Sequence, residues 1–305
     1  MSITTLIDFD NCILNVLRYY SVFHYPITIE EIYGNCKIPC QLEELYEIIH
    51  DLRNRGEVFE FKGFYSISKE IVKDVERRLD GNAMAIEKEK GARMCARIIN
   101  FFPFVRFVGI SGSLSKGYSE KESDYDFFVV TKGNRLWITR TVLHVFKKLT
   151  FIIGKQHCFC MNYFIDEMAL QIDEKNIFTA VELASMIPVY GTMTYKALLK
   201  ANSWVDDYFP NGFRRFSTSK SIGDSQSLIK NLFEFLLNIF SPNSVNNWLM
   251  KITDKRWRNK WEHKKYPPED YDLAFKTTLN VSKNHPRNHQ KRTLSLLNKL
   301  MHEAK

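Results

Sequence analysis

The chain of 305 residues contains no apolar run long enough to cross a membrane. Its most apolar stretch, LIKNLFEFLLNIF at 228–240, is interrupted by Lys230 and Glu234, whereas a membrane-spanning helix needs about 20 apolar residues. The first residues, MSITTLIDFD, lack the basic and apolar segments of a signal peptide. We therefore expect a cytoplasmic protein without a membrane partner.

The six cysteines lack the paired two-residue gaps that structural zinc sites use. Two pairs are closely spaced, Cys36 with Cys40 and Cys158 with Cys160. The run HCFC, which begins at His157, is predicted to lie in a strand, where adjacent side chains face opposite sides and do not share a metal. We interpret the thiols as small buried apolar side chains in a reducing compartment.

The charge is distributed unevenly in a chain of otherwise ordinary globular composition, 45% hydrophobic and 26% charged. Residues 196–305 contain 20 Lys+Arg and 10 Asp+Glu, whereas residues 1–75 contain 7 and 12. The basic third would attract a polyanion or a nucleotide by long-range steering, or it is a solvated helical face. The acidic N-terminal third and the basic C-terminal third would attract each other, either within one chain or between the chains of a homo-oligomer.

Residues 1–75 have the pattern of three helices followed by a hairpin. The second helix begins with a capping box at Thr28 and Glu31, and Gly56 is well placed to end the third. The segment EVFEFKGFYSIS then alternates on both sides of a Lys62-Gly63 turn. This order resembles a winged helix-turn-helix.

DNA binding by this winged-helix-like domain is disfavoured by the charge of its third helix. The polar face of that helix carries Glu43, Glu44, Glu47 and Asp51, and DNA-binding proteins gain most of their affinity from basic contacts to phosphate. We expect instead a packing or oligomerisation module, or a docking surface for another protein.

The rest of the chain divides into three predicted parts. Residues 76–100 form a connecting helix, with a potential break at Gly81-Asn82. Residues 101–191 alternate strands, among them VRFVGISG, FFVVT, CFCMNYFI and MALQI, with helices, the last of which is capped by Thr179 and runs to Pro188. Residues 192–305 are predicted to be a basic helical domain with an exposed linker at 216–227. The fold class is therefore α+β, with a mixed sheet.

The segment FVGISGSLSKGYSEKESDYDFFVV combines a small-residue turn with two carboxylates. A turn after a strand exposes backbone N–H groups to phosphate oxygens, and Gly112 has no side chain to block a ligand. The hydroxyl of Ser113 can donate to the same phosphate. Asp124 and Asp126 are two residues apart on a predicted strand and so project from one face. Two carboxylates with triphosphate oxygens form the oxygen cage that Mg²⁺ prefers.

This segment resembles the nucleotidyltransferase superfamily that includes DNA polymerase beta. It is closest to the minimal nucleotidyltransferases of prokaryotes, whose motif is a Gly-Ser pair, a later glycine and Ser-Asp-x-Asp, here Gly112-Ser113, Gly117 and Ser123-Asp124-Tyr125-Asp126. The resemblance, which covers residues 100–190, implies a mixed sheet with flanking helices. It also implies Mg²⁺- or Mn²⁺-dependent transfer of a nucleoside monophosphate from a nucleoside triphosphate, such as ATP, to a hydroxyl or similar acceptor.

The resemblance also implies roles for residues. Asp124 and Asp126 would hold the metal, while Gly112, Ser113, Gly117 and Lys116 would bind the nucleotide. Members of the superfamily usually have a third acidic residue on a later strand. The position that corresponds here is Asn162, which can ligate Mg²⁺ but cannot accept a proton, and Asp166 substitutes for it if the strand register is shifted.

Other basic and aromatic residues are weaker candidates. Lys121 and Arg140 would touch the triphosphate only if they point toward the turn, and Arg135 begins the helix after the second strand. His285 lies in a basic turn and suggests no mechanism. The segment KITDKRWRNKWEHKKYPPEDY (251–271) would stack on a nucleotide or single strand, but a half-exposed helix with a basic face is favoured.

Three hypotheses for function follow. The first is a nucleotidyltransferase whose acceptor is a small molecule, a protein side chain or RNA. The second, favoured by Asn162, is a catalytically weak nucleotide-binding or antitoxin-like regulatory module of the same fold. The third, a winged-helix transcription regulator, is disfavoured by the acidic third helix.

Overall fold

A computed structural model describes residues 3–213, 223, 227–240 and 243–303. The helices are α1 Ile3–Ser21, α2 Ile29–Asn35, α3 Leu42–Asn54, α4 Ile71–Phe101, α5 Gly112–Ser115, α6 Leu136–Thr150, α7 Ile177–Ser185, α8 Thr192–Ala201, α9 Leu228–Phe240, α10 Asn243–His263, α11 Pro268–Ala274 and α12 His289–His302. The strands are β1 Ile27–Thr28, β2 Phe59–Phe61, β3 Phe64–Ser66, β4 Val105–Ser111, β5 Asp126–Thr131, β6 Cys160–Asp166, β7 Ile187–Tyr190, β8 Phe275–Thr277 and β9 Val281–Asn284.

The first three helices and the β2–β3 hairpin lie where the sequence predicts them. The capping box of α2 is confirmed, because the Thr28 amide donates to Glu31 Oε2 at 2.8 Å and Thr28 Oγ1 accepts from the Glu31 amide at 3.4 Å. Strand β3 pairs with β1 on one side and with β2 on the other, so the small sheet has the order β1-β3-β2. Isoleucines and leucines of α1, α2 and α3 form one core beneath it.

Helix α4 is continuous, so the break predicted at Gly81-Asn82 is wrong. Gly81 lies within the helix, and the ring of Tyr118 occupies the space beside it, where a Cβ would lie 2.2 Å from Tyr118 Cε2. The glycine therefore permits a close approach of the segment after α5 rather than a change of direction in the helix.

The central sheet has six strands in the order β7-β4-β5-β6-β9-β8. Strands β5 and β6 are parallel, and the other neighbouring pairs are antiparallel. Apolar side chains of α4 and α6 cover one face, and those of α7 and α8 cover the other. The predicted α+β class with a mixed sheet is confirmed.

Two of the six strands come from a region predicted to be helical throughout. Strand β9 pairs with β6 and β8 pairs with β9, so the prediction of helices alone after residue 192 is wrong for residues 275–284. These strands are short and carry Lys and Thr, so their sequence lacks the apolar alternation that identifies a strand. Most of the predicted linker at 216–227 lies outside the described residues.

Two predictions near α7 are also wrong. Asn176 rather than Thr179 caps α7, since its side chain accepts from the Thr179 amide. The helix ends at Ser185, and Pro188 belongs to β7, which is an edge strand and so tolerates a residue without an N–H donor. The stretch MALQI, predicted as a strand, has no regular structure.

No helix among the described residues combines the length and the hydropathy that a membrane crossing requires.

Substitution of Gly81 tests the packing of α4. We expect Gly81→Ala to lower the free energy of unfolding by about 1–3 kcal/mol through overpacking, although alanine is about 1 kcal/mol better than glycine within a helix. Urea unfolding measures the change. In a Tyr118→Ala background the same substitution should cost little, because the ring that it meets is gone.

Gly91→Ala is the matched control in the same helix. Its new Cβ would meet the hydroxyl of Tyr125 at 2.7 Å, at the movable end of that side chain. A loss equal to that of Gly81→Ala would contradict the interpretation that the ring of Tyr118 is the obstacle.

Candidate functional site

The turn after β4 brings Gly112 against the carboxylate of Asp126. Gly112 has a φ of +68°, and a Cβ at this position would lie 2.6 Å from Asp126 Oδ2. Both the backbone conformation and the space therefore require glycine. Ser113, the next residue, is exposed, so its hydroxyl is accessible to a ligand. Ser111 pairs with Asp126 across β4 and β5, which fixes this neighbourhood.

The loop between α5 and β5 is held against α4. Lys88 donates from Nζ to three carbonyl oxygens of the loop, those of Glu120 at 2.6 Å, Lys121 at 2.8 Å and Ser123 at 3.0 Å. The Ser119 amide donates to the carbonyl of Gly81 at 3.1 Å. These bonds fix the backbone that carries Asp124.

Gly117 and Lys116, both predicted to bind nucleotide, have protein partners in this structure. The carbonyl of Gly117 accepts from Asn82 Nδ2, and its φ of +75° turns the chain after α5. Lys116 Nζ forms an ion pair with Glu182 at 2.7 Å and donates to the Gly112 carbonyl at 3.0 Å. The ammonium group thus lies beside the Gly112 turn, and Glu182 of α7 is brought to the site.

Asp124 and Asp126 lie at the start of β5 but in different surroundings. The strand begins at Asp126, so the prediction that both acids lie on it and project from one face is wrong for Asp124, which precedes it. Asp124 Oδ1 lies 2.5 Å from His157 Nδ1, and both side chains are partly exposed. Burial, with contributions from Asp124 and Glu182, raises the pKa of Asp126 to about 6, against the opposing effect of a hydrogen bond with Cys160.

The β6 neighbour of Asp126 is Cys160, not Asn162. Cys160 pairs with Asp126 and Tyr163 pairs with Phe128, so Asn162 is the extra residue of a bulge. Asn162 Nδ2 donates to Cys160 Sγ at 3.0 Å. The strand position beside the carboxylate is therefore occupied by a thiol, with the amide of Asn162 next to it.

Asp166 does not substitute for a third acid at this site. It pairs with Thr131 at the opposite end of the parallel β5–β6 pair, about 16 Å from Asp126 at the usual rise per residue. Its buried carboxylate accepts from the amides of Asn134 and Met168. Its role is to hold the turn after β5.

His157 and Glu182 are site neighbours that the sequence did not predict. His157 belongs to a 3-10 helix at Gln156–Cys158 rather than to a strand, so the expectation of opposite faces for the HCFC run is wrong. The His157 carbonyl accepts from the Tyr125 amide at 3.0 Å, which brings the histidine to Asp124. No local pattern in the sequence links Glu182 to Lys116.

The donor set fits part of a Mg²⁺ site. Asp124 and Asp126 offer carboxylate oxygens, and Mg²⁺ is commonly held by one or two carboxylates together with substrate phosphates and water. Among the described residues, no group of three or more His, Cys, Asp or Glu side chains is arranged to hold a metal ion. Bound phosphate and water would have to supply the remaining ligands.

The other basic candidates lie away from the turn. Arg135 donates to Asn238 and Asn243. Arg140 is buried between Trp137 and Trp257, and this burial lowers its pKa to about 9. Neither guanidinium is placed to contact a phosphate at Gly112.

The aromatic residues of the 251–271 segment form a small core of their own. Their rings pack around the side chain of Phe275, and the residues of this cluster are Trp257, Trp261, Tyr266 and Tyr271. This packing favours the interpretation as a half-exposed helix over that of a nucleic-acid stacking platform. His285 is also buried, which lowers its pKa to about 4.

Comparisons of the chain with protein-family models, with curated proteins and with solved structures found no match.

The raised pKa of Asp126 predicts a pH-dependent effect of its replacement. The folded protein holds the Asp126 proton more tightly than the unfolded chain, so ionisation costs stability above pH 6 and the cost disappears as the pH falls toward 4. We expect Asp126→Asn to raise the free energy of unfolding by about 1–3 kcal/mol at pH 8 and by less at pH 4.5.

Urea unfolding at the two pH values measures this difference. Asp124→Asn is the control, because its more exposed carboxylate should change stability by about 1 kcal/mol or less. A destabilised Asp126→Asn protein at pH 8 would show that the carboxylate is stabilised by its surroundings, contrary to the prediction.

Proposed function

We propose that the protein is a Mg²⁺-dependent nucleotidyltransferase that moves a nucleoside monophosphate from a nucleoside triphosphate to an acceptor. The observation that carries the proposal is the close approach of Asp126 to the Gly112 turn. A phosphate bound at the turn and a metal held by the carboxylates would be direct neighbours, as transfer chemistry requires.

The residues of the site support distinct roles in binding. Gly112 admits the Asp126 carboxylate beside the turn, and the exposed Ser113 hydroxyl is available to donate to a phosphate. Lys116 lies at the Gly112 carbonyl, where its positive charge favours a bound anion. Asp124 and Asp126 would hold Mg²⁺ or Mn²⁺, which when bound would neutralise charge on the phosphates.

The hydrogen bonds of the loop between α5 and β5 support the orientation of the nucleotide. Lys88 fixes the backbone before Asp124 through three carbonyl oxygens, so the carboxylate is held without the need for substrate to order it. Positioning of this kind contributes much of the catalysis in phosphoryl transfer.

A second candidate function, nucleotide binding with little transfer, is favoured by one observation. The strand position beside Asp126 carries the thiol of Cys160, and neither it nor Asn162 provides a carboxylate that accepts the acceptor's proton. Glu182 is a nearby acid, but it is paired with Lys116.

The acceptor would be a small molecule, a protein side chain or RNA. Binding of DNA by the N-terminal unit stays disfavoured, because Glu43, Glu47 and Asp51 are exposed on α3. Its acidic surface is better suited to a basic partner or to another part of a homo-oligomer.

Labelled nucleoside triphosphates test the proposal. With Mg²⁺ or Mn²⁺ and cell extract, we expect metal-dependent binding and label transfer with release of pyrophosphate. The double variant Asp124→Asn/Asp126→Asn should lose at least tenfold in both. Asp80→Asn, which changes an exposed acid on α4, is the matched control and should behave like the parent chain.

The outcomes separate the two candidates. Metal-dependent binding without transfer would support the second candidate and overturn the first. No metal-dependent binding of any nucleoside triphosphate would overturn both.

A carboxylate introduced on β6 provides a gain-of-function test. Because Cys160 is the strand neighbour of Asp126, Cys160→Asp should raise the transfer rate by about a hundredfold, the lower range for a positioned general base. Asn162→Asp, which changes the bulge residue, should raise it less. Rate measurements at pH 8 with unfolding controls check this order, and the reverse order would contradict the register argument.

A further inference from the structure

Helix α9 packs against the protein through its charged residues. Lys230 Nζ donates to the carbonyl oxygens of Asn100 at 2.8 Å and Val105 at 2.7 Å. Glu234 accepts from the Phe104 amide at 2.7 Å. Lys230 and Glu234 are only 7% and 8% exposed, so the inner side of this helix is polar.

The outer side of α9 is apolar. Seven large hydrophobic side chains, between 41% and 87% exposed, face away from the protein: Leu228, Ile229, Leu232, Phe233, Phe235, Leu236 and Ile239. At 100° per residue they cover an arc of about 160° on the side opposite Lys230 and Glu234. Asn231 at the edge of the arc is its only exposed polar residue among those described.

This orientation is fixed by specific bonds. The two terminal nitrogens of the Arg106 guanidinium donate to the Glu234 carboxylate, at 2.8 and 2.7 Å. Arg135 donates to Asn238 at 2.9 Å. A rotation of α9 that buried its apolar arc would break these bonds and leave buried charges without partners. The hydrogen bonds and ion pairs on the inner side of α9 therefore keep the apolar arc facing outward.

The helix that follows is basic and carries an exposed tryptophan. In α10, Lys251 and Lys255 are exposed on the same side of the helix as Trp248, which is 60% exposed, and Ile252, which is 45% exposed. Tryptophan and lysine are typical of surfaces that contact the lipid headgroup region.

We propose that the outward face of α9 inserts into the surface of an anionic lipid membrane, with the helix in the plane of the bilayer. An in-plane helix needs an apolar face and nearby basic residues rather than a spanning length. The expectation of no membrane partner considered only spanning segments. The proposal is independent of the nucleotidyltransferase activity, because α9 contributes no residue to the Gly112 turn.

The breadth of the apolar arc favours lipid over a second copy of the chain. A single helix packed against α9 would cover a stripe of about 100° of its surface. Fluid acyl chains would cover the whole apolar arc. The exposed lysines of α10, the next helix along the chain, add to this preference, because anionic headgroups attract them, whereas a second copy brings the same positive charge.

Vesicle sedimentation with the full chain tests the proposal. We expect binding to vesicles of equal parts phosphatidylglycerol and phosphatidylcholine, and much weaker binding to phosphatidylcholine alone. Leu232→Asn/Phe235→Asn should weaken binding at least about tenfold, and Lys251→Gln/Lys255→Gln by about fivefold per lysine.

Ile86→Asn is the matched control, because Ile86 is an equally exposed apolar residue on α4, 61% exposed. It should bind vesicles like the parent chain, and circular dichroism checks that each variant is folded. Failure of the parent chain to bind anionic vesicles would overturn the proposal, whatever the variants do.

Light scattering without lipid identifies the competing occupants. A dimer that Leu232→Asn/Phe235→Asn converts to a monomer, without vesicle binding by the parent chain, would assign α9 to a second copy and overturn the proposal. A monomeric parent chain that binds neither kind of vesicle would also overturn the proposal and would indicate that α9 contacts a different protein.

Discussion

The burial of the Asp126 carboxylate against the Gly112 turn is the constraint on which the candidate site depends. The strand pairing of Ser111 with Asp126 sets the contact, and the absence of a side chain at Gly112 makes it possible. Burial raises the pKa of the carboxylate, so its ionised form is held at a cost. A bound cation would remove that cost. Residues arranged to bind a charged ligand commonly lower the stability of the protein when the ligand is absent.

Hydrogen bonds from helix α4 connect the candidate site to the N-terminal unit. Arg78 of α4 forms two bonds of 2.7 Å to the Glu31 carboxylate of α2. Asn82, one turn further along, donates to the Tyr25 hydroxyl, which in turn donates to the Lys116 carbonyl beside the site. The N-terminal unit is thus part of the support of the loop that carries the acids.

Some local signals in the sequence were confirmed, whereas others, such as the cap at Thr179, were not. The capping box at Thr28, the Gly112-Ser113 turn and the spacing to Asp126 depend on near neighbours in the chain. The approach of Glu182 to Lys116 depends on how α7 packs on the sheet, and no spacing encodes it. The strands of residues 275–284 are recognisable only once β6 offers them an edge. Sequence patterns are silent about contacts between distant segments.

The bulge at Asn162 shows the same limit within the site itself. The resemblance places the third acidic position at Asn162, but one extra residue in β6 shifts the register and places Cys160 beside Asp126. Because side chains alternate faces, a shift by one residue changes which group meets a carboxylate. The amide of Asn162 lies against Cys160 Sγ, so neither of the groups that β6 brings to Asp126 is a carboxylate. In the proposed transfer, Cys160 and the Lys116–Glu182 ion pair therefore determine whether a base near Asp126 accepts the acceptor's proton.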